Sequence, residues 1–213
     1  MWLSKFKDHF SDKEFVFSVL SALFLLLASF VINWYAGTYA TEKASNAVTD
    51  VVLSNTRVFD VDGIYIYGPI VLWIFVIFLC LKDLHKFPFT VKSIALFVVI
   101  RSLFITLTHL GPFPLQAPVD PSNLINWFAF GGDLFFSGHT GLAFLMALVF
   151  WENKALRILF IATSILFGAV VLLAHLHYSI DVLSAFFITY TIFHIAKVFF
   201  KKDELLFCRG LMK

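Results

Sequence analysis

Six apolar runs, each about as long as a bilayer crossing requires, constrain this chain more than any other feature. They are Phe15–Trp34, Ile64–Leu81, Ser93–Leu110, Leu134–Trp151, Ala155–Ala174 and Tyr178–Phe200. A hydrocarbon core of roughly 30 Å needs about 20 helical residues, and helices satisfy their own backbone amides in lipid. Continuous apolar runs also exclude the alternating pattern of a membrane barrel. We therefore predict an all-α polytopic membrane protein, with six transmembrane helices in one bundle and residues 1–213 as one domain.

The composition excludes several other classes of protein. Hydrophobic residues make up 60% of the chain and charged residues only 14%, whereas soluble domains are about half apolar and about a quarter charged. A disordered chain or an ordinary soluble domain needs more polar residues than this. The net charge of +2 also gives no basic surface for nucleic acid, so we expect the bilayer as the main partner and no nucleic acid.

The N-terminus has two possible interpretations. Lys5, Lys7 and Lys13 precede the first apolar run, and Ala36-Gly37-Thr38-Tyr39-Ala40 follows it, which resembles a secretory signal with a cleavage site. The apolar core of such a signal is usually 7–15 residues long. The run here is longer, so we expect a retained first helix.

The positions of Lys and Arg predict the orientation of the six helices. With six crossings, one side of the membrane would hold thirteen of these residues and the other would hold only Lys43 and Arg57. Because cytoplasmic loops are enriched in Lys and Arg, we predict cytoplasmic termini and exoplasmic segments at 36–63, 111–133 and 175–178. Cys80 and Cys208 would then face the reducing side and form no disulfide. The thirteen are Lys5, Lys7, Lys13, Lys82, Lys86, Lys92, Lys154, Arg157, Lys197, Lys201, Lys202, Arg209 and Lys213.

Few ionisable residues lie in or beside the predicted helices, and one set of them gathers at a single level. Ionisable groups in membrane helices are costly and usually functional. The predicted topology places this set near the exoplasmic face although its members come from three different helices, which favours a single site. The set is Arg101, His139, His177 and Asp181, with His109, Asp133 and His175 at the same level.

The spacing of these residues is typical of phosphoryl-transfer chemistry. His177 and Asp181 are four residues apart and share a helix face, so the carboxylate can hold one imidazole nitrogen and leave the other as a nucleophile. His139 lies in Ser137-Gly138-His139-Thr140, which is typical of a helix start, and helix N-termini attract phosphate. The alternative is structural: Arg101 would bond backbone carbonyls, and the dyad would be a hydrogen bond inside the bundle.

Two segments resemble the signature segments of the sphingomyelin synthases, within the phosphatidic acid phosphatase type 2 superfamily. They are Gly-Gly-Asp-Leu-Phe-Phe-Ser-Gly-His-Thr at 131–140 and Leu-Leu-Ala-His-Leu-His-Tyr-Ser-Ile-Asp-Val at 172–182. The resemblance continues through Ala185 and Ile188-Thr189, and a third match surrounds Arg101. The catalytic segments would thus be 101–140 and 172–190.

The resemblance implies a phosphohistidine intermediate at an exoplasmic or lumenal site of a six-helix protein. His177 would be the nucleophile, Asp181 its orienting carboxylate and His139 the acid that protonates the leaving lipid. No cofactor or metal is implied. Tyr178, next to the nucleophile, is a further candidate for the pocket, although tyrosine in so aromatic a chain more often packs against neighbouring helices. The residues that would line the phosphate pocket by resemblance are Arg101, Asp133, Ser137, Gly138 and His175.

Departures from the related phosphatases favour transfer of a phosphodiester. Their Lys-six-residues-Arg-Pro segment is missing, because Lys92 and Arg101 are nine apart and Ser102 follows, and no Arg precedes His177 in its turn. Gly131 stands where the synthases carry Cys. Fewer cations suit a singly charged diester better than a monoester, because unbalanced charge is costly in a low dielectric.

We therefore expect a headgroup phosphotransferase with a glycerophospholipid donor and ceramide or diacylglycerol as acceptor. Hydrolysis by the same site is the alternative within enzymes. A lipid transporter is the alternative from another class; discontinuous helices would be its mark, and only Gly68-Pro69 interrupts a predicted helix. The choice of headgroup and the oligomeric state stay open.

Overall fold

A computed structural model describes residues 9–117 and 131–210. The described residues form helices joined by loops and two 3₁₀ turns, so the predicted all-α class is confirmed for this part of the chain. The predicted loop residues 118–130, and Lys5, Lys7 and Lys213 of the charge pattern, lie outside it. The helices are Lys13–Glu42 (α1), Asp62–Lys82 (α2), Phe87–Leu107 (α3), Gly138–Val149 (α4), Lys154–Leu173 (α5), Ser179–Phe199 (α6) and Lys201–Arg209 (α7), and the 3₁₀ turns are Leu53–Asn55 and Leu84–Lys86.

Five of these helices, α1, α2, α3, α5 and α6, are long and apolar enough to cross a membrane. The fourth predicted crossing is different, because α4 has only 12 residues and would extend about 18 Å at 1.5 Å per residue. Residues 134–137 precede the helix as a loop. The count of six crossings therefore stays a prediction.

Helix α4 lies in the centre of the bundle. It contacts α3, α5 and α6, and most of its residues, from Thr140 to Val149, are buried. Gly141 makes the close contact with α3 possible, because a Cβ there would lie 2.7 Å from the ring of Phe97. The helix that carries His139 thus lies against α3, which carries Arg101, and α6, which carries Asp181.

Helix α1 is longer than predicted. The sequence placed its end at Trp34, but the helix continues to Glu42, so the predicted exoplasmic segment that starts at residue 36 begins inside it. The extension has a packing reason: the small residues Ala36 and Ala40 form a buried cluster with Ile105 of α3. The other long helices begin and end within one to six residues of the predicted boundaries.

The outer faces of the bundle carry large apolar side chains. Phe17 of α1, Phe187 of α6 and Val198 of α6 each expose more than 70% of their surface. Soluble proteins rarely expose apolar patches of this extent. These faces suit a lipid environment and agree with an integral multi-pass membrane protein.

We call the end of the bundle that carries His139 and His177 the histidine end, and the end that carries Lys92 and Asp203 the lysine end. Lys92 was predicted to belong to a loop, but α3 begins at Phe87, so Lys92 lies inside the helix and is buried. It forms an ion pair of 2.7 Å with Asp203 of α7. The two ends are separated by α6, whose 21 residues extend about 30 Å.

Candidate active site

Arg101 fastens the loop that leads into α4. Its Nε donates to the carbonyl of Phe136 at 2.8 Å, and its Nη1 forms an ion pair of 3.1 Å with Asp133. Nη2 donates to the backbone carbonyl of Asp133. A Cβ at Gly138 would lie 3.4 Å from Nε of Arg101, so the guanidinium lies directly against the first turn of α4.

The start of α4 is tied to the start of α6. The Ser137 side chain caps α4 by accepting from the amide of Thr140 at 3.4 Å, as serine at a helix start commonly does. The amide of Ser137 donates to the carbonyl of Asp181 at 3.1 Å. The two signature segments therefore share a backbone hydrogen bond.

The predicted dyad of His177 and Asp181 is present. Nδ1 of His177 lies 3.4 Å from Oδ2 of Asp181, and the same carboxylate oxygen accepts from the amide of Tyr178 at 2.9 Å. His177 is 7% exposed and Asp181 is fully buried. Nε2 of His177 has no hydrogen-bond partner within residues 9–117 and 131–210, and among those residues Oδ1 of Asp181 also has none. Among the described residues, the dyad therefore has bonding capacity that no protein group uses.

His139 is held between two aromatic residues from other helices. Its ring stacks on Tyr65 of α2, with ring centroids 4.5 Å apart and planes 20° apart, and Phe167 of α5 meets it edge-on at 6.2 Å. Nε2 of His139 lies 3.3 Å from the backbone carbonyl of Tyr65. The structure therefore fixes the position of this ring with residues outside both signature segments.

These residues converge on one region. His139 is within electrostatic range of His177 and Arg101, and Asp133 is within range of Arg101 and His177. The structure thus brings Arg101, Asp133 and the two histidines together at the histidine end, beside Ser137 and Gly138.

His175 and Tyr178 are engaged elsewhere. His175 is buried in a left-handed backbone conformation with φ of 57°; its Nδ1 lies 3.0 Å from the carbonyl of Leu115 and its Nε2 lies 3.2 Å from Oγ1 of Thr56. The Tyr178 hydroxyl donates to the carbonyl of Gly111 at 2.7 Å. Both side chains hold loops in place, so we leave them out of the proposed phosphate pocket.

Sequence reasoning missed Asp50, which supports the start of α6. One carboxylate oxygen of Asp50 accepts from the amide and hydroxyl of Ser179 at 2.7 and 2.8 Å. The other accepts from the amides of Val52 and Leu53. Burial would raise the pKa of Asp50, but these hydrogen bonds outweigh it and hold the pKa below its ordinary value. The sequence showed only an acidic residue in a polar loop.

Asp50 also bears on which helix start could hold an anion. The amides of Tyr178 and Ser179 at the start of α6 already donate to the carboxylates of Asp181 and Asp50. A helix N-terminus attracts anions through amides that have no partner. The start of α4, next to Arg101, is therefore the better candidate for a phosphate group than the start of α6.

Comparison with known proteins gives a match in the region of the chain that carries both histidines. The family model described as PAP2 superfamily C-terminal matches residues 131–198, which include His139, His177 and Asp181. The match covers about a third of the chain and supports a place in the PAP2 superfamily, whose members are typically enzymes that act on phosphate esters. No curated protein and no solved structure gives a significant match.

Proposed function

We propose that the protein is an integral-membrane lipid phosphotransferase of the sphingomyelin synthase type. It would move a phospho-alcohol headgroup from a glycerophospholipid to ceramide or diacylglycerol. The observation that carries the proposal is the buried His177–Asp181 dyad, whose outer nitrogen has no partner in the described residues. It lies beside Arg101 and the start of α4, in a bundle whose outer faces suit lipid.

In the first half-reaction, Nε2 of His177 attacks the phosphorus of the donor. The bond between phosphorus and the diacylglycerol oxygen breaks, and its electron pair stays on that oxygen. Protonated His139 gives a proton to the same oxygen, as a general acid. Asp181 holds the Nδ1 proton of His177 and stabilises the charge that develops on the ring. The product is a phospho-headgroup on His177 and free diacylglycerol.

In the second half-reaction, neutral His139 takes the proton from the hydroxyl of the acceptor lipid. The acceptor oxygen bonds to phosphorus, and the bond from phosphorus to Nε2 of His177 breaks with its electron pair returning to the nitrogen. Both lipids can reach the site within the bilayer. Neither half-reaction consumes any other reactant.

The charge of the site supports a diester substrate. Arg101 is paired with Asp133 at 3.1 Å. In the proposed first half-reaction His177 is neutral and protonated His139 offsets the carboxylate of Asp181, so cations and carboxylates balance among the described site residues. A phosphodiester carries one negative charge and a phosphomonoester nearly two. Since unbalanced charge is costly to bury, the balance favours a phosphodiester such as phosphatidylcholine over phosphatidic acid.

We also propose that the histidine end faces the exoplasm. The support is the distribution of Lys and Arg in the sequence, thirteen against two, together with the position of Lys197, Lys201 and Lys202 at the other end of α6. A membrane-impermeant thiol reagent tests this orientation. On sealed cells, Lys43→Cys should react and Lys154→Cys should not, in a background without Cys208.

The reaction is tested with purified protein in proteoliposomes. The donors are phosphatidylcholine and phosphatidylethanolamine with isotope-labelled headgroups, the acceptors are ceramide and diacylglycerol, and mass spectrometry follows both lipids and water-soluble products. We expect the labelled headgroup on an acceptor lipid, and none above background with His177→Ala. Release of the labelled phospho-alcohol into water would instead establish a hydrolase. Movement of the donor across the bilayer without chemical change would establish a transporter.

A further inference from the structure

The interruption of α2 at Gly68-Pro69 lies next to the site. Pro69 is inside the helix and has no amide hydrogen, so the carbonyl four residues before it lacks its ordinary helical donor. That carbonyl belongs to Tyr65. In a bundle surrounded by lipid, an unused carbonyl is costly unless another donor reaches it.

His139 is the donor that reaches this carbonyl. Its Nε2 lies 3.3 Å from the Tyr65 oxygen, and the Tyr65 ring lies flat against the imidazole at 4.5 Å. A carbonyl oxygen can only accept a hydrogen bond, so this contact requires a proton on Nε2. The ring nitrogen that remains for proton exchange is Nδ1.

Gly68 allows Phe167 of α5 to pack against His139, on another side of the ring from Tyr65. A Cβ at Gly68 would lie 2.7 Å from Cε1 of Phe167, so a larger residue would displace the Phe167 ring or push α2 away from α5. Phe167 meets the His139 ring edge-on, with an angle of 80° between the planes. Close approach of the two helices thus confines His139 between Tyr65 and Phe167.

We propose that Gly68 and Pro69 are positioning residues for His139: Pro69 frees the Tyr65 carbonyl, this carbonyl fixes the proton of His139 on Nε2, and Nδ1 becomes the atom that exchanges protons with the lipid oxygens. The proposal rests on the function proposed above. It extends the site to α2, which lies outside the matched residues 131–198.

The proton then follows a defined route. Nδ1–H of the imidazolium gives its proton to the leaving diacylglycerol oxygen, and the ring becomes neutral with its proton on Nε2. In the second half-reaction, the Nδ1 lone pair takes the proton of the acceptor hydroxyl. The hydrogen bond to Tyr65 stays intact throughout, so the ring need not rotate between the two half-reactions.

Pro69→Ala tests the proposal, because the alanine amide would donate to the Tyr65 carbonyl and compete with His139. We expect kcat to fall about 10- to 100-fold, in the range of a misplaced catalytic group, while KM changes by less than about threefold. The thermal midpoint should stay equal or rise, since alanine is the better helix former. Pro88→Ala is the control, because Pro88 lies in the first turn of α3, and it should leave kcat unchanged.

A second measurement does not depend on turnover. Nitrogen NMR of ¹⁵N-histidine-labelled resting protein in detergent distinguishes the two neutral tautomers, and His139→Gln assigns the signals. We expect Nε2–H for His139 in the wild type and a mixture of tautomers in Pro69→Ala. At a pH where the His139 ring is neutral, a wild-type ring with its proton on Nδ1 and none on Nε2 would overturn the proposal, and so would unchanged kcat in Pro69→Ala. Absence of turnover in the wild type, with the Nε2–H tautomer present, would overturn the proposed function alone.

Discussion

The two ends of the bundle both bury a carboxylate beside a basic side chain, but they differ in the bonding capacity that each pair has left. At the lysine end, Nζ of Lys92 lies 2.7 Å from Asp203 and 3.3 Å from Oγ of Ser18, and the Ser18 hydroxyl also donates to Asp203. At the histidine end, the dyad is separated by 3.4 Å and Oδ1 of Asp181 has no partner in the described residues. Within the described residues, the pair at the lysine end is fully bonded and the pair at the histidine end is not, which is why we propose the reaction at the histidine end.

The largest expected effect on turnover comes from His177→Ala. This substitution removes the atom that would bond to phosphorus, so we expect headgroup transfer to fall by about 10⁴-fold or more, as for other covalent catalysts. Transfer in proteoliposomes measures it, and Lys92→Met is the matched substitution at the lysine end. Retained transfer in His177→Ala would remove the distinction between the two ends.

Asp181→Asn should have the next largest effect. The asparagine side chain carries no charge to stabilise the imidazolium. Where its NH₂ group faces Nδ1 of His177, it would also favour the wrong tautomer of the ring. We expect kcat to fall on the order of 10²- to 10⁴-fold with KM little changed. Comparison of kcat and KM for the two proteins checks this. A change confined to KM would assign Asp181 to substrate binding instead.

Asp50→Asn should reduce turnover only a few-fold. Asparagine has one acceptor oxygen, so either Ser179 or the amides of Val52 and Leu53 would lose their partner, at a cost of about 1–3 kcal/mol. The pKa of Asp50 is lowered in the folded protein, so its contribution is complete above the unfolded pKa of about 3.9. It is lost as the pH falls through the folded value.

Unfolding measured against pH checks this prediction. The wild type should be more stable than Asp50→Asn at neutral pH, and the difference should shrink as the pH falls below about 3.9. A difference that grows in acid would contradict the hydrogen bonds described for Asp50. Asp60→Asn, in an exposed part of the same loop, is the control and should show no such trend.

Lys92→Met should have the smallest effect on turnover and a large effect on stability. It leaves Asp203 buried without its cation, which typically costs about 3–5 kcal/mol. The double variant Lys92→Met/Asp203→Leu should recover most of that stability, since an apolar pair can replace a buried ion pair. Thermal unfolding measures the stability, and the rate of headgroup transfer per folded molecule measures the turnover. A catalytic loss in the double variant would show that the lysine end takes part in the reaction.

The sequence predicted the helices well where long apolar runs determine them. The ranges predicted for α2, α5 and α6 differ from the observed helices by one or two residues at each end. The end of α1 was wrong, because Ala36 and Ala40 are too small to signal burial but pack closely on Ile105. The 12-residue length of α4 could not be predicted, because the residues before it are apolar and are held as a loop by Arg101.

The candidate residues of the site could be predicted because their spacing reflects local geometry. The spacing of four brought His177 and Asp181 together as predicted, although His177 lies two residues before α6 begins at Ser179 and not on a shared helix face. Ser137 caps α4 from within its own segment. Contacts between distant segments carry no such signal, and Asp50, Tyr65 and Phe167 were therefore missed. Gly68-Pro69 was the one sequence signal near this part of the site. It indicated an interruption of the second helix, but not that His139 packs against that interruption.

The most direct test of the central claim is to trap the intermediate on His177. Protein in proteoliposomes is incubated with a headgroup-labelled donor and no acceptor, quenched at alkaline pH and digested, and its peptides are analysed by mass spectrometry. We predict a phospho-headgroup on the peptide that contains His177, absent in His177→Ala and lost when acceptor lipid is added. Turnover without a histidine adduct, or an adduct on His139 in place of His177, would contradict the account.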